Sequence, residues 1–288
     1  MLGSIVLRVP PVIEGPPPPP TGLDLSTYVR SQAHEDAGVL AAADITPVLA
    51  DGTPDATNGV AALISIGMSN CGVVSSRYTT VMFTQGGGDP DRHPRYRFVS
   101  GKMNQKTAES WSVVTDVCWS NAINEVSLAG LAVPQIQAAW IMMTQKYPRF
   151  DYAAMSEAQI RAIIDNLLVH FPEVKLVYLS GLNYTGYSNN PELGYDDFER
   201  APEPFVHDDS ILLENIVTAQ ANLPVWCDFY DMWADGENVN PLTGLFYVPA
   251  DLEVDGVHPE GATGGLKMAN YLKARFKADV VTDGWMWQ

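Results

Sequence analysis

A histidine near the carboxyl end of the sequence has neighbours suited to proton transfer. The sequence there reads Asp255-Gly256-Val257-His258-Pro259, directly before the last helical pattern. In a turn of this spacing the Asp255 carboxylate can hold the Nδ1–H of His258 and leave Nε2 free to take a proton. A turn that is followed by proline at the first helical position would give the same pattern. Comparable neighbours are lacking at the other four histidines, which are His34, His93, His170 and His207.

A serine at a strand end could supply the nucleophile for such a base. The apolar run at residues 61–66 predicts a buried strand that stops at Gly67, and Ser69 follows where a helix should begin. Backbone N–H groups at a helix start can help to hold an oxyanion. Serine is also a frequent helix cap, which is the simpler interpretation of the tetrapeptide taken alone. We predict that Ser69 is a nucleophile, His258 its base and Asp255 the residue that orients the base.

Five short apolar runs predict the strands that must position these residues. They cover residues 61–66, 96–100, 137–144, 174–180 and 225–230, and helical patterns at 156–171, 211–221 and 266–276 lie between or after them. Ser156 and Gln159 give the first of these helices the form of a capping box. Apolar strands that alternate with amphipathic helices indicate a parallel sheet covered on both faces. We therefore expect an α/β fold, a three-layer α/β/α sandwich of about five parallel strands with ligands at their carboxyl ends.

The composition indicates a globular domain and excludes several kinds of partner. Of 288 residues, 46% are hydrophobic and 18% are charged, so we expect a single domain over residues 21–288. The 34 acidic and 17 basic residues give a formal charge of -17. Such a charge repels nucleic acid and anionic membranes, so we predict no nucleic-acid partner. We predict no transmembrane segment either, because no apolar run approaches the roughly 20 residues that a membrane helix needs.

Residues 1–20 form a separate, proline-rich segment. Prolines occupy positions 10, 11 and 16–20, and they predict an extended polyproline helix. The segment is either a tether that links the domain to an anchor or a disordered end. Together with the acidic composition, the tether interpretation predicts an extracellular or periplasmic protein.

The cysteines and histidines show no metal-binding pattern. Cys71, Cys118 and Cys227 have neither zinc-site spacing nor a CxxC motif, and no histidine pair has the spacing of helical metal ligands. We therefore predict no metal and no cofactor. The three cysteines are compatible with one disulfide and a free thiol, or with three buried thiols.

The two motifs together resemble the SGNH (GDSL-type) hydrolase superfamily. The resemblance rests on Gly67-Met68-Ser69-Asn70 after the first strand and on the aspartate, histidine and proline at 255, 258 and 259, and it spans roughly residues 60–277. Members are esterases, lipases, acetylxylan esterases and other carbohydrate O-deacetylases. The resemblance implies a serine esterase that hydrolyses short acyl (acetyl) esters of a small molecule or carbohydrate through an acyl-enzyme, and that acid inactivates by protonating His258.

The segments that would bind the oxyanion depart from the family pattern. The family uses a glycine after the second strand and an asparagine after the third. Here Gly101 follows the second strand, Asn104 and Gln105 stand nearest the usual glycine, and Gln145 follows the third strand. The resemblance therefore implies an oxyanion hole formed by the N–H of Ser69 with donors from these four residues. The departures leave two alternatives open, a weak or inactive carbohydrate-binding protein on the same fold and a long-chain lipase or thioesterase.

Overall fold

A parallel β-sheet forms the centre of the described chain. The computed structural model describes residues 28–145, 155–187, 203, 205–219, 223–234, 239–240 and 242–288, so the predicted tether at 1–20 lies outside the described residues. The strands are β1 (Ala61–Gly67), β2 (Tyr96–Ser100), β3 (Ile136–Met142), β4 (Leu176–Ser180) and β5 (Trp226–Phe229). They follow the order β2-β1-β3-β4-β5, and every neighbouring pair is parallel.

Both faces of this sheet are buried, which explains why its strands are apolar throughout. Successive side chains point to opposite faces of a strand. In β1, Leu63 joins one hydrophobic cluster, which also contains Trp140, whereas Ile64 joins a second cluster on the other face with Ile141. The prediction of an α/β fold with about five parallel strands is confirmed.

Helices cover each face, so the fold has three layers. One face carries α1 (Gln32–Ala42), α2 (Ser69–Thr79) and α7 (Leu266–Ala278). The other carries α3 (Ala108–Trp111), α4 (Val117–Leu128), α5 (Glu157–His170) and α6 (Phe205–Ala219). The predicted capping box is present at the start of α5, where Ser156 and Gln159 bond each other's backbone. Every helix among the described residues is too short or too polar to cross a membrane.

Helix α1 is not among the helical patterns that the sequence shows. Its buried residue is Gly38, and a Cβ there would lie 2.6 Å from the Trp226 ring. Because a glycine rather than a large apolar side chain faces the protein, the sequence of α1 lacks the hydrophobic periodicity that identifies a surface helix.

No disulfide joins the three cysteines, and the structure thus decides between the two possibilities that the sequence allowed. Cys71, Cys118 and Cys227 are buried thiols. Burial raises the pKa of Cys71 to about 11. This thiol therefore stays protonated at neutral pH and is a poor nucleophile, although it lies two residues from Ser69.

Candidate active site

The strand order places a crevice at the carboxyl end of β1. The chain moves from β1 to β2 on one side, and it then crosses to β3 on the other side of β1. In open α/β sheets, ligands bind at the carboxyl ends of the strands where the order reverses in this way. Ser69 is the first residue of α2 and stands directly beyond β1, so the fold sets it at this crevice.

Ser69, His258 and Asp255 meet there in one hydrogen-bonded chain. The Ser69 Oγ lies 2.6 Å from the His258 Nε2, across 189 residues of sequence. The His258 Nδ1 lies 2.5 Å from the Asp255 Oδ2. With the ring proton on Nδ1, that nitrogen donates to the carboxylate and Nε2 accepts from the serine hydroxyl. The structure thus brings together the three residues that the sequence predicted to act together.

The Asp255 carboxylate is surrounded by donors that keep it ionised. Its Oδ1 accepts the backbone N–H groups of Val257 and His258, each at 2.9 Å. Partial burial favours the neutral acid, but the hydrogen bonds from the His258 ring and from the two backbone N–H groups outweigh it. They hold the pKa of Asp255 well below its ordinary value. The two side chains also differ in exposure, because 30% of the His258 side chain is exposed but only 11% of the Asp255 side chain.

Two buried asparagines fix the turn that carries His258, and the sequence did not single them out for this role. The Asn70 Nδ2 donates to the Val257 carbonyl at 2.9 Å and to the Asn183 Oδ1 at 3.0 Å. The Asn183 Nδ2 donates to the same Val257 carbonyl at 3.0 Å. These bonds join the start of α2 and the segment after β4 to the turn at 255–258. Asn70 belongs to the motif after the first strand, but its role in holding this turn has no signal in the sequence. Asn183 is only a polar residue beyond a strand end, which is common in this kind of fold.

An open groove of about 680 Å³ gives access to the serine and the histidine. We call it the Ser69 groove. Among its described lining residues, Val73 alone has an aliphatic side chain. The lining residues are Ser69, Gly72, Val73, Ser76, Arg77, Lys102, Asn104, Glu253, His258, Glu260 and Gly261.

Of the residues predicted to bind the oxyanion, Ser69 and Asn104 line the groove. The N–H of Gly101 instead donates to the Ser65 carbonyl at 2.9 Å and extends the pairing of β1 with β2. Gln105 stands in the turn beyond Asn104 with a φ of 63°. This left-handed backbone is uncommon for residues other than glycine.

Gln145 is engaged away from the groove. Its Oε1 accepts the N–H of Glu109 in α3 at 3.2 Å, and its own N–H donates to the Asp209 carboxylate at 3.1 Å. The side chain is buried. These contacts give Gln145 a structural place between β3, α3 and α6.

Glu253, Asp255 and His258 together have side chains of the kind that bind metal cations. Single ligand atoms of these three residues lie within 4.8 Å of one another. However, Asp255 already holds one ring nitrogen and Ser69 the other. A metal would have to displace one of these bonds, so the arrangement is better suited to moving a proton.

Comparison with known proteins shows that this chain is similar to several solved structures. No protein-family model matches the sequence, and no curated protein matches it. The structure is similar to a lipase/acylhydrolase from Enterococcus faecalis, with 12% identity and a TM-score of 0.44 over 76% of this chain and 96% of that one.

Two further solved structures are similar to this chain to about the same degree. The catalytic domain of peptidoglycan O-acetyltransferase A from Streptococcus pneumoniae is 11% identical, with a TM-score of 0.41 over 76% of this chain and 94% of that one. An acetylxylan esterase from Geobacillus stearothermophilus is 14% identical, with a TM-score of 0.41 over 78% and 96%. Because all three TM-scores are below 0.5, we infer the chemistry of this chain from its own residues.

Proposed function

We propose that this protein is a serine esterase of the SGNH type that hydrolyses short acyl esters. The observation that carries the proposal is the unbroken chain of contacts from the Ser69 Oγ through both ring nitrogens of His258 to Asp255. A nucleophile, a base and a group that orients the base are the three parts that acyl transfer through serine requires. Ser69 and His258 both line one groove, so a substrate can reach the nucleophile and the base together.

The reaction follows from this geometry in two halves. His258 Nε2 takes the hydroxyl proton while Ser69 Oγ attacks the ester carbonyl, and the imidazolium then gives that proton to the departing alcohol. The products are an acyl-serine and a free alcohol. Water next attacks the acyl-serine, with His258 again as base, and releases the carboxylic acid. Asp255 holds the ring in its tautomer throughout and stabilises the imidazolium because its carboxylate stays ionised.

The oxyanion of the tetrahedral intermediate needs donors at the same place. The first N–H groups of a helix have no partner within the helix, so the N–H of Ser69 at the start of α2 is one donor. Asn104 lines the same groove and is the second donor. We leave out Gly101, because its N–H already has a partner, and Gln145, because its buried side chain is not among the lining residues of the groove. A donor from Gln105 stays a prediction.

The character of the groove favours a short acyl group on a polar alcohol. A long acyl chain needs an apolar channel, because burial of its methylene groups supplies its binding energy. The Ser69 groove offers Val73 beside serine, asparagine and charged side chains. Such a lining suits an acetyl ester of a hydroxyl-rich alcohol, and an O-acetyl group on a carbohydrate meets that description.

Hydrolysis of p-nitrophenyl acetate and p-nitrophenyl palmitate by the purified protein tests this function. We expect turnover of the acetate, and a loss on the order of 10⁴-fold or more in Ser69→Ala, because removing the nucleophile disables the whole triad. Ser120→Ala, an exposed serine on α4, is the matched control and should keep the wild-type rate. Full activity in Ser69→Ala would contradict the proposal. No turnover would favour a binding protein on this fold, and preference for palmitate would favour a lipase.

A further inference from the structure

Two cations in the Ser69 groove have no acidic partner. Arg77 and Lys102 both line the groove. Within the described residues, Arg77 has no carboxylate at salt-bridge distance, and the Lys102 Nζ donates to the neutral amide of Asn104 at 3.0 Å. Positive groups that are left unneutralised beside a nucleophile are suited to holding a negatively charged part of a substrate.

Elsewhere among the described residues, each lysine is paired with a carboxylate, whereas Arg92, Arg95, Arg97 and Arg275 are not. Lys267 lies 2.5 Å from Asp251, and Lys273 lies 2.6 Å from Asp89. With 34 acidic residues to 17 basic ones, a cation has many potential partners. The lack of a carboxylate partner therefore distinguishes Lys102 from the other described lysines, and Arg77 is distinguished by its place in the groove.

Packing rather than an ion pair holds the two side chains in place. A Cβ on Gly261 would lie 2.6 Å from the Arg77 Nη2, so the guanidinium lies directly against the backbone there. A Cβ on Gly72 would lie 2.8 Å from the Lys102 Cδ, so the aliphatic part of Lys102 lies on α2. Both charges are thus placed at the groove before any ligand binds, which reduces the entropy lost on binding.

Arg77 stands at a useful distance from the reacting serine. It follows Ser69 by eight residues in α2, which at 1.5 Å per residue places its backbone about 12 Å further along the helix axis. Val73 and Ser76 lie between them and also line the groove. The groove therefore runs along α2 from the nucleophile to the guanidinium, and a substrate must extend well beyond its acyl group to reach both.

The acids of the groove belong to the segment around His258. Glu260 is engaged at the turn before α7, where its Oε2 accepts the N–H of Thr263 at 2.8 Å. Glu253 stands beside Asp255 and His258. The Glu253 carboxylate is thus close to the base, and Lys102 comes from the loop after β2. Arg77, in the second half of α2, lies against Gly261, next to Glu260, whose carboxylate bonds Thr263.

We propose, on the basis of the esterase function above, that the alcohol part of the substrate is an acidic saccharide. Its carboxylates are bound at Arg77 and at Lys102 while the acyl ester lies at Ser69. Arginine binds carboxylates with two parallel N–H donors, and lysine adds a point charge. The substrate class is thus an O-acylated oligosaccharide that contains uronic acid residues.

Acetylated oligogalacturonate and its methyl-esterified form provide the test, since methyl esterification removes the charge of the sugar carboxylate and leaves the acetyl ester in place. Acetate release measures kcat/KM for each. We expect the wild type to prefer the charged form by about tenfold or more, and 0.5 M salt to reduce that preference. Arg77→Gln and Lys102→Gln should each lower the preference severalfold, and the double variant should abolish it. Arg161→Gln, the same change in α5 on the other face of the sheet, is the control and should keep the wild-type preference.

The outcomes separate this inference from the function on which it rests. Equal release from both forms would overturn it, and so would release from neither by a protein that still hydrolyses p-nitrophenyl acetate. A preference that survives in the folded double variant would overturn it as well. Failure to hydrolyse any of the three esters would instead overturn the esterase function, and this inference with it.

Discussion

Two aspartate–histidine pairs at different places in the fold have opposite surroundings. Asp255 and His258 lie 2.5 Å apart at the mouth of the Ser69 groove, and the second ring nitrogen of His258 contacts Ser69. At the β5 edge of the sheet, the His34 Nε2 stands 3.8 Å from the Asp228 carboxylate, whose side chain is fully buried. The same two residue types therefore form a close, accessible pair in one region and a loose, enclosed pair in the other.

The surroundings shift the pKa values of the two aspartates in opposite directions. Burial raises the pKa of Asp228, although Arg30 and a hydrogen bond from Tyr28 oppose the rise. Burial likewise lowers the pKa of His34, against the attraction of Asp228. At Asp255 the hydrogen bonds outweigh burial and lower the pKa. An ionised acid next to an accessible ring can support proton transfer, whereas the enclosed pair is suited to holding structure.

The contacts of Asp228 show what that structural role is. The Tyr28 hydroxyl donates to it at 2.6 Å, and Arg30, which also bonds Asp279 at 2.9 Å, lies 3.6 Å away. These contacts tie the first described residues to β5 and to the segment after α7. The two pairs thus differ in that the His258 ring also contacts a serine, whereas the His34 Nε2 faces a buried carboxylate.

Substitution of the two histidines should give the largest contrast. We expect His258→Asn to lower kcat/KM for p-nitrophenyl acetate on the order of 10⁴-fold, because the base is removed. His34→Asn should keep activity and cost about 1–3 kcal/mol in the free energy of unfolding, because the ring stacks on Trp226 at 5.0 Å. Steady-state kinetics and urea unfolding measure both. A severe loss of activity in His34→Asn with an intact fold would remove the distinction between the pairs.

Acidification should sharpen the contrast further. The base must be neutral to accept a proton, and Asp255 remains ionised because its pKa is held low. We expect kcat/KM to fall as the pH is lowered, because acid protonates the base. The measurement is a pH–rate profile, with tryptophan fluorescence to show that the protein stays folded. A rate that is constant between about pH 5 and 8 would exclude a histidine base.

The smallest effect concerns the dependence of stability on pH. A lowered pKa at Asp255 contributes stability that is present above the ordinary aspartate pKa of about 3.9 and is lost as the pH falls towards the folded value. The raised pKa at Asp228 has the opposite sign, because its contribution is complete below about pH 3.9 and is lost as the pH rises through the folded value.

Urea unfolding of Asp255→Asn, Asp228→Asn and the wild type at a series of pH values measures these slopes. Relative to the wild type, Asp255→Asn should remove a rise of stability with pH below about pH 4. Asp228→Asn should remove a fall of stability with pH above that value. Slopes of the same sign for both variants would mean that the two carboxylates do not differ as described.

The parts of the site that the sequence predicted are those that local structure determines. The spacing of Asp255 and His258 within one turn sets their contact almost without the rest of the fold. Ser69 could be placed because the apolar run at residues 61–66 predicts a strand that stops at Gly67, and Ser69 follows that strand end. The five strands were predicted for the same reason, since burial on both faces leaves a continuous apolar run.

The remaining parts depend on tertiary contacts that no pattern specifies. The pairing of β1 continues one residue past β2 and so occupies the N–H of Gly101. Gln145 turns towards α3 and α6 instead of the groove. Asn183 acquires its position only when the segment after β4 packs on the turn that carries His258, and Arg77 only when α2 packs on Gly261.

Covalent labelling is the decisive test of Ser69 as the nucleophile. The intact protein is treated with a fluorophosphonate probe, digested, and mapped by peptide mass spectrometry. We expect one modified site, Ser69, and a sharp decrease in labelling in His258→Asn, because the hydroxyl then lacks its base. No labelling, or labelling of another residue while Ser69 stays unmodified, would show that Ser69 is not the nucleophile.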